Sequence, residues 1–213
     1  LTQLTKENQE IVFDFENTYT EKQVTFKYIP VNPDGCPNDK LGSVELTGDT
    51  SSRNTTGVEE TIGMRLGVAV GSTAADNDIV EFVGWYSDVE CTKLVSDDKA
   101  YLPTRAEGSV LWKDATYYAK FEFKHGDLTI RKGGIESVDH HEANGSSKEE
   151  KQTSIFQITG TSYSGQAIDM QVAIVGCSAV KIADLPVGKY KVTEVTEWSW
   201  RYEPTPAEVN FVL

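Results

Sequence analysis

The period of the apolar residues constrains this chain more than any other feature. They come in short, β-branched or aromatic runs that alternate with polar residues. Examples are Val24-Thr25-Phe26-Lys27-Tyr28, Tyr117-Tyr118-Ala119-Lys120-Phe121-Glu122-Phe123, Leu128-Thr129-Ile130-Arg131-Lys132 and Gly188-Lys189-Tyr190-Lys191-Val192-Thr193-Glu194-Val195. Period-2 alternation puts every second side chain on one face, which suits a half-buried strand. Clusters of Gly, Asn, Asp and Ser separate the runs at the spacing of a sandwich. The expected fold class is therefore all-β. One stretch, Glu59 to Val70, has spacing compatible with a short helix, although its glycines oppose one.

Composition removes whole classes of function. The 213 residues carry 38% hydrophobic and 25% charged side chains, enough to bury real cores and too apolar for a disordered chain. A formal charge of −13 argues against nucleic acid or anionic lipid as a partner, since both select Lys/Arg patches. No apolar run approaches the ~20 residues that cross a bilayer. No basic segment precedes an apolar one, so any signal peptide is expected outside this sequence. Three cysteines, Cys36, Cys91 and Cys177, are too few for a disulfide scaffold. A Cys36–Cys91 bond and free thiols both stay open, and no Cys/His spacing suggests zinc.

Three segments separate along the chain. Residues 1–19 hold a polar lead-in and one strong strand, Ile11-Val12-Phe13-Asp14-Phe15, followed by Glu16-Asn17-Thr18-Tyr19. Residues 20–124 form a first module and 125–213 a second, with the joint at Lys124-His125-Gly126-Asp127. Within the second module, Glu136 to Lys151 reads as a polar, solvated loop.

Two motif sets carry a family resemblance. Val24 to Tyr28, Phe82-Val83-Gly84-Trp85-Tyr86-Ser87-Asp88 and Asp114-Ala115-Thr116-Tyr117-Tyr118-Ala119-Lys120-Phe121 make the first module resemble the Listeria–Bacteroides repeat, the internalin-type B-repeat. In the second, Leu128 to Lys132, Ser154-Ile155-Phe156-Gln157-Ile158 and Val180 to Glu194, with Asp184-Leu185-Pro186-Val187-Gly188-Lys189-Tyr190 at its centre, are similar to the B-type repeat of collagen adhesins and Gram-positive pilins. The resemblance implies a β-grasp-like module followed by an immunoglobulin-like sandwich. It further implies an extracellular surface protein, anchored to the cell wall through regions outside this segment. Many such sandwiches stack into rods and form an internal Lys–Asn isopeptide bond assisted by a buried acid.

Strand parity tests that implication independently. Lys132 shares a face with Leu128 and Ile130, and Glu194 shares one with Tyr190 and Val192. Burial disfavours the charged form of an amine and of a carboxyl alike, so such a pair can rest as neutral amine and neutral acid. A neutral amine is a nucleophile, and a carboxylic acid can polarise an amide carbonyl. The alternative is a Lys–Glu ion pair with no chemistry. For the acceptor, Asn210 has the wrong parity, because Val209, Phe211 and Leu213 share the other face. Asn17 closes a strand in which Phe13, Phe15 and Asn17 share a face. Residues 1–19 thus read as the closing strand of a preceding B-type module, residues 125–213 as a sandwich lacking its last strand, and the 213 residues as one period of a tandem array. The expected catalytic set is Lys132, Glu194 and Asn17, with Asn17 from a neighbouring copy or the same chain.

Other candidates are weaker. Asp139-His140-His141-Glu142 lacks the helical context of a metal site. Trp198, Trp200 and Arg201 suit either packing or sugar stacking. No nucleophile elbow appears, and the glycosylation-type triplets at Asn54 and Asn144 are too common to count. The expected function is a structural stalk segment, not an enzyme, without metal or cofactor. Its expected partners are neighbouring repeats. The alternative is a module that binds a host protein or glycan.

Overall fold

The computed structural model describes residues 15–134, 136–141, 145, 147–196 and 203–213. Among them the fold is nearly all β, and no α-helix occurs. The first module runs through β1 (Gln23–Val31), β2 (Ser43–Leu46), β3 (Asp49–Asn54), β4 (Val58–Gly63), β5 (Ser72–Ala75), β6 (Val80–Tyr86), β7 (Leu94–Ser96), β8 (Ala100–Tyr101) and β9 (Ala115–Phe123). These strands form two sheets, β4-β1-β9-β6-β7 and β3-β2-β5-β8. β1 and β9 lie parallel at the centre of the larger sheet, Phe26 opposite Ala115 and Val31 opposite Lys120. The first and last strands of the module thus support each other.

Alternation explains the core. Val24, Phe26 and Tyr28 of β1 are buried, as are Trp85 of β6 and Ala119 and Phe121 of β9. Tyr28 and Trp85 meet edge to face at 5.9 Å. The ring layer tolerates one charge, Glu60, because its carboxylate is fully engaged. It accepts from the Tyr28 hydroxyl at 2.7 Å and from the Val70 and Gly71 N–H groups at 2.8 and 2.9 Å. This is also where the expected helix at Glu59 to Val70 fails. The stretch is β4 plus turns, and β4 pairs antiparallel with β1. Glu60 points inward as a strand residue, and glycines at 63, 67 and 71 interrupt any helical continuation.

The second module contains β10 (His125–Arg131), β11 (Ser137–His141), β12 (Ser147–Lys151), β13 (Thr153–Ser162), β14 (Ala167–Val175), β15 (Ala179–Pro186), β16 (Gly188–Val195) and β17 (Glu208–Val212). One antiparallel sheet has the order β14-β13-β16-β17; facing it, β10 pairs only with β15. Ile130, Phe156, Ile158 and Ile174 form the centre of the core between them. Glu136 to Lys151, expected as a solvated loop, is in part a hairpin, because β11 and β12 pair from Ser137–Lys151 to His141–Ser147. Its polar sequence hid the ladder, which needs backbone groups and not apolar side chains.

The modules adjoin at Lys124. Lys124 links them without a spacer: its N–H donates to Ile79 O at 2.8 Å and its carbonyl accepts from Val187 N–H at 3.1 Å. Phe123 stacks on Tyr163 at 6.5 Å, and Val187 is buried in the first module's core cluster. Gly35, at φ +84°, passes so close that an added Cβ would lie 2.7 Å from the Tyr163 carbonyl oxygen. The Cys36–Cys91 bond left open by the sequence is not formed; Cys36 donates to Lys40 O and Cys91 to Val89 O.

Two outcomes test this core. Glu60→Ala strands a buried hydroxyl and two N–H groups and should lower the unfolding free energy by about 2–4 kcal/mol in urea titrations. Burial, with Glu60 adding for Tyr28 and Tyr117 for Tyr101, pushes both phenols above the ordinary range. A raised folded-state pKa means stability that is complete below the unfolded value, about pH 10, and declines as the pH climbs above it. Ultraviolet titration should therefore show these two tyrosines ionising later than the exposed ones.

Candidate cross-linking site

The site starts with strand parity on β10. Leu128 and Ile130 point into the core, and the Lys132 N–H extends the ladder by donating to Ser178 O at 2.9 Å. Lys132 therefore keeps the inward direction one residue beyond the strand. On the opposite sheet Glu194 sits on β16, directly across from Phe156 on β13. Lys132 Nζ donates to Glu194 Oε2 at 2.9 Å, and the side chains are only 23% and 13% exposed. The pair bridges the two sheets in salt-bridge geometry.

It stands at one end of an open groove of about 590 Å³. One wall is β10 from Leu128 to Lys132, and the other is Val209 and Phe211 of β17 with Thr205 to Ala207 before them. Phe156 and Val192 line it as well. β17 pairs with β16, Val209 opposite Val192 and Phe211 opposite Tyr190, so Val209 and Phe211 sit on the core-facing side. Yet Val209 is 46% exposed, because nothing among the described residues covers it. At the far end, near the joint, Tyr190 is buried, and its hydroxyl donates to Pro186 O at 2.6 Å. Burial pushes that phenol up.

The structure brings Lys132 and Glu194 together and leaves both expected asparagines outside. Asn210 pairs with Lys191 on the outer face of the sheet, exposed. Asn17 is exposed in an irregular stretch before β1 and does not line the groove. Residues 11–14 of the expected closing strand lie outside the described residues; Phe15 is 87% exposed and not in a strand. Asp139 to His141 fall in β11, and Glu142, Trp198, Trp200 and Arg201 lie outside the described residues. Among the described residues no group of three or more His, Cys, Asp or Glu could hold a metal ion, and no helix is long and apolar enough to cross a membrane. Sequence reasoning expected a second module open where one more strand would close it, but not which residues line the opening; the inward parity of Val209 and Phe211 carried that signal.

Chemically, the arrangement places an amine within proton-transfer distance of a carboxyl, over an aromatic floor, beside a space that admits a third group. No family model and no curated protein matches the chain. Among solved structures, the chain is similar to a streptococcal ancillary pilin, at 13% identity and a TM-score of 0.27 over 90% of this chain. It spans 58% of that pilin's length.

Removing one partner should reveal the pair. Glu194→Ala leaves a half-buried ammonium alone and is expected to cost about 2–3 kcal/mol, below the figure for full desolvation. Lys132→Met combined with Glu194→Leu should recover most of that loss. Chemical denaturation of the single and double variants reads both effects.

Proposed function

We propose that this chain is a structural segment of the stalk of a bacterial cell-surface adhesin or pilus-like protein. In this reading the modules transmit load in series, and the second is tied by a Lys–Asn isopeptide bond. The contact of Lys132 Nζ with Glu194 Oε2 at the mouth of an open groove carries the reading. A pair serving only as an ion pair has no need of a third space beside it.

In this chemistry Glu194, protonated, polarises the carbonyl of an incoming asparagine carboxamide. Neutral Lys132 attacks the amide carbon. The Nζ–C bond forms, the C–Nδ2 bond breaks, and the displaced nitrogen leaves as ammonia after taking a proton through Glu194. The balance is one amine plus one primary amide giving one secondary amide plus ammonia. The bond forms once per site, so the protein is not a turnover enzyme. The direct Lys124 joint, with Phe123 stacked on Tyr163, supports the load-bearing part, because a rod gains nothing from a flexible linker.

Antibodies raised to this chain should label intact producing cells; labelling confined to lysed cells overturns the surface assignment. Intact-mass measurement in denaturant should find species short by one ammonia per bond, absent from Lys132→Ala and Glu194→Ala. A wild-type population of unmodified mass alone removes the covalent tie.

A further inference from the structure

We infer that the groove between β10 and β17 takes an extended strand donated by a second copy of this chain, namely Ile11 to Asn17. The inference deepens the cross-link reading and rests on it for the covalent step only. Docking of the strand stands without it.

Three observations converge on a strand. First, among the described residues β10 has one partner, β15, so its other edge presents unpaired backbone groups along the groove. Such an edge is a template for β-addition. Second, the apolar groups beside it, Leu128, Ile130, Phe156, Val192, Val209 and Phe211, lie between two sheets and need side chains from one strand face. Third, the Lys132–Glu194 pair sits at the end of the groove away from the joint. The occupant should be apolar on alternate residues and should end in a polar group.

Ile11 to Asn17 has that pattern. Ile11, Phe13 and Phe15 share one face with Asn17, and Val12, Asp14 and Glu16 share the other. The groove wall on β10 runs from Leu128 to Lys132, and Phe13 to Asn17 spans the same five positions, each about 17 Å of strand. Laid parallel to β10, it places Asn17 at the Lys132 end. Phe15 is 87% exposed, without cover among the described residues.

A second copy is the donor in this inference. β1 starts at Gln23, and its Val31 end sits beside Lys120, so β1 points toward the joint. From Gln23 to Lys132 the path follows eight residues of β1, four from Lys120 to Lys124 and eight along β10. That contour is roughly 65 Å at ~3.3 Å per residue. The six residues from Asn17 to Gln23 reach at most about 21 Å. Delivery within one chain would need the second module folded back along β1, whereas a second copy delivers the strand without that fold.

Inter-chain donation also matches the far end of the first module. The Glu21 carboxylate accepts from the Arg65 and Leu66 N–H groups at 2.6 Å, holding the lead-in against that loop. Leu66, Val68, Val110 and Leu111 are exposed on this loop and the neighbouring one, 42 to 81%. With Asn17 at the Lys132 end of a neighbour, this apolar end abuts the neighbour's second module. The contact is head to tail and does not close on itself, so it propagates as a linear array.

The test uses the full chain, at concentrations where it is monomeric, and a labelled peptide of residues 9–20. Saturable binding, slowed amide exchange along β10, and a more than about 100-fold loss with Phe13→Asp/Phe15→Asp peptide are expected, two aromatic side chains being lost from the groove. The wild-type chain should also yield a covalent adduct one ammonia lighter than the summed masses, and Lys132→Ala should yield none. Binding without an adduct removes the cross-link chemistry and keeps the docking. No binding, equal binding of a scrambled peptide, or protection that bypasses β10 overturns the docking, whatever the surface-labelling result. A monomer that loses one ammonia by itself overturns the second-copy donor.

Discussion

A sandwich holds together only when each sheet covers the other, and the second module does not meet that condition. Four antiparallel strands, β14-β13-β16-β17, face the pair β10-β15. The mismatch leaves Val209 part-exposed on a core-facing side and β10 with a bare edge. The position of Lys132 and Glu194, the room beside them and the depth of the groove all follow from it. Were another strand already in place, the pair would be sealed in the core. Were the sheets narrower, Phe156 and Val192 would be on the surface.

The first module shows the contrasting solution. Its parallel β1 and β9 are central, flanked by β4 on one side and β6 on the other, so both ends of the module are locked in the middle of one sheet. Pulling on either terminus loads the hydrogen bonds between β1 and β9 along their length. Those bonds are covered by Phe26, Tyr28, Trp85 and Phe121, which keep water from competing for them. The joint continues this logic. Because Lys124 is bonded to both modules and Gly35 lets backbone approach Tyr163, there is no slack at the boundary.

Much of this was legible in the sequence, and the failures have physical causes. Alternation at Val24, Phe26 and Tyr28, or at Leu128, Ile130 and Lys132, exposes a strand face directly, so the all-β class and the Lys132–Glu194 proximity could be read. Glu59 to Val70 misled because a charged residue such as Glu60 is not expected on an inward strand face until its donors, the Tyr28 hydroxyl and the Val70 and Gly71 N–H groups, are seen. The Glu136 to Lys151 hairpin was invisible because its ladder is backbone and its side chains are polar. The width of the opposing sheets was also hidden. Parity gives the direction of each side chain but says nothing of which strand lies beside which.

The order of events at the groove follows from solvation. At present the Lys132 and Glu194 side chains keep some contact with water through the open groove. A strand entering along β10 would exclude that water and place a carboxamide beside the amine. Two charges without water are dearer than a neutral amine and a neutral acid sharing one proton. Strand entry would thus create the reactive protonation states as it delivers the acceptor. The lysine would remain inert until the fold is closed, and closure itself would trigger the bond. A reactive amine standing open in the unfilled groove would attack any carboxamide that drifted in; in the proposed chemistry the site would stay unreactive until the strand whose alternation fits the groove has seated.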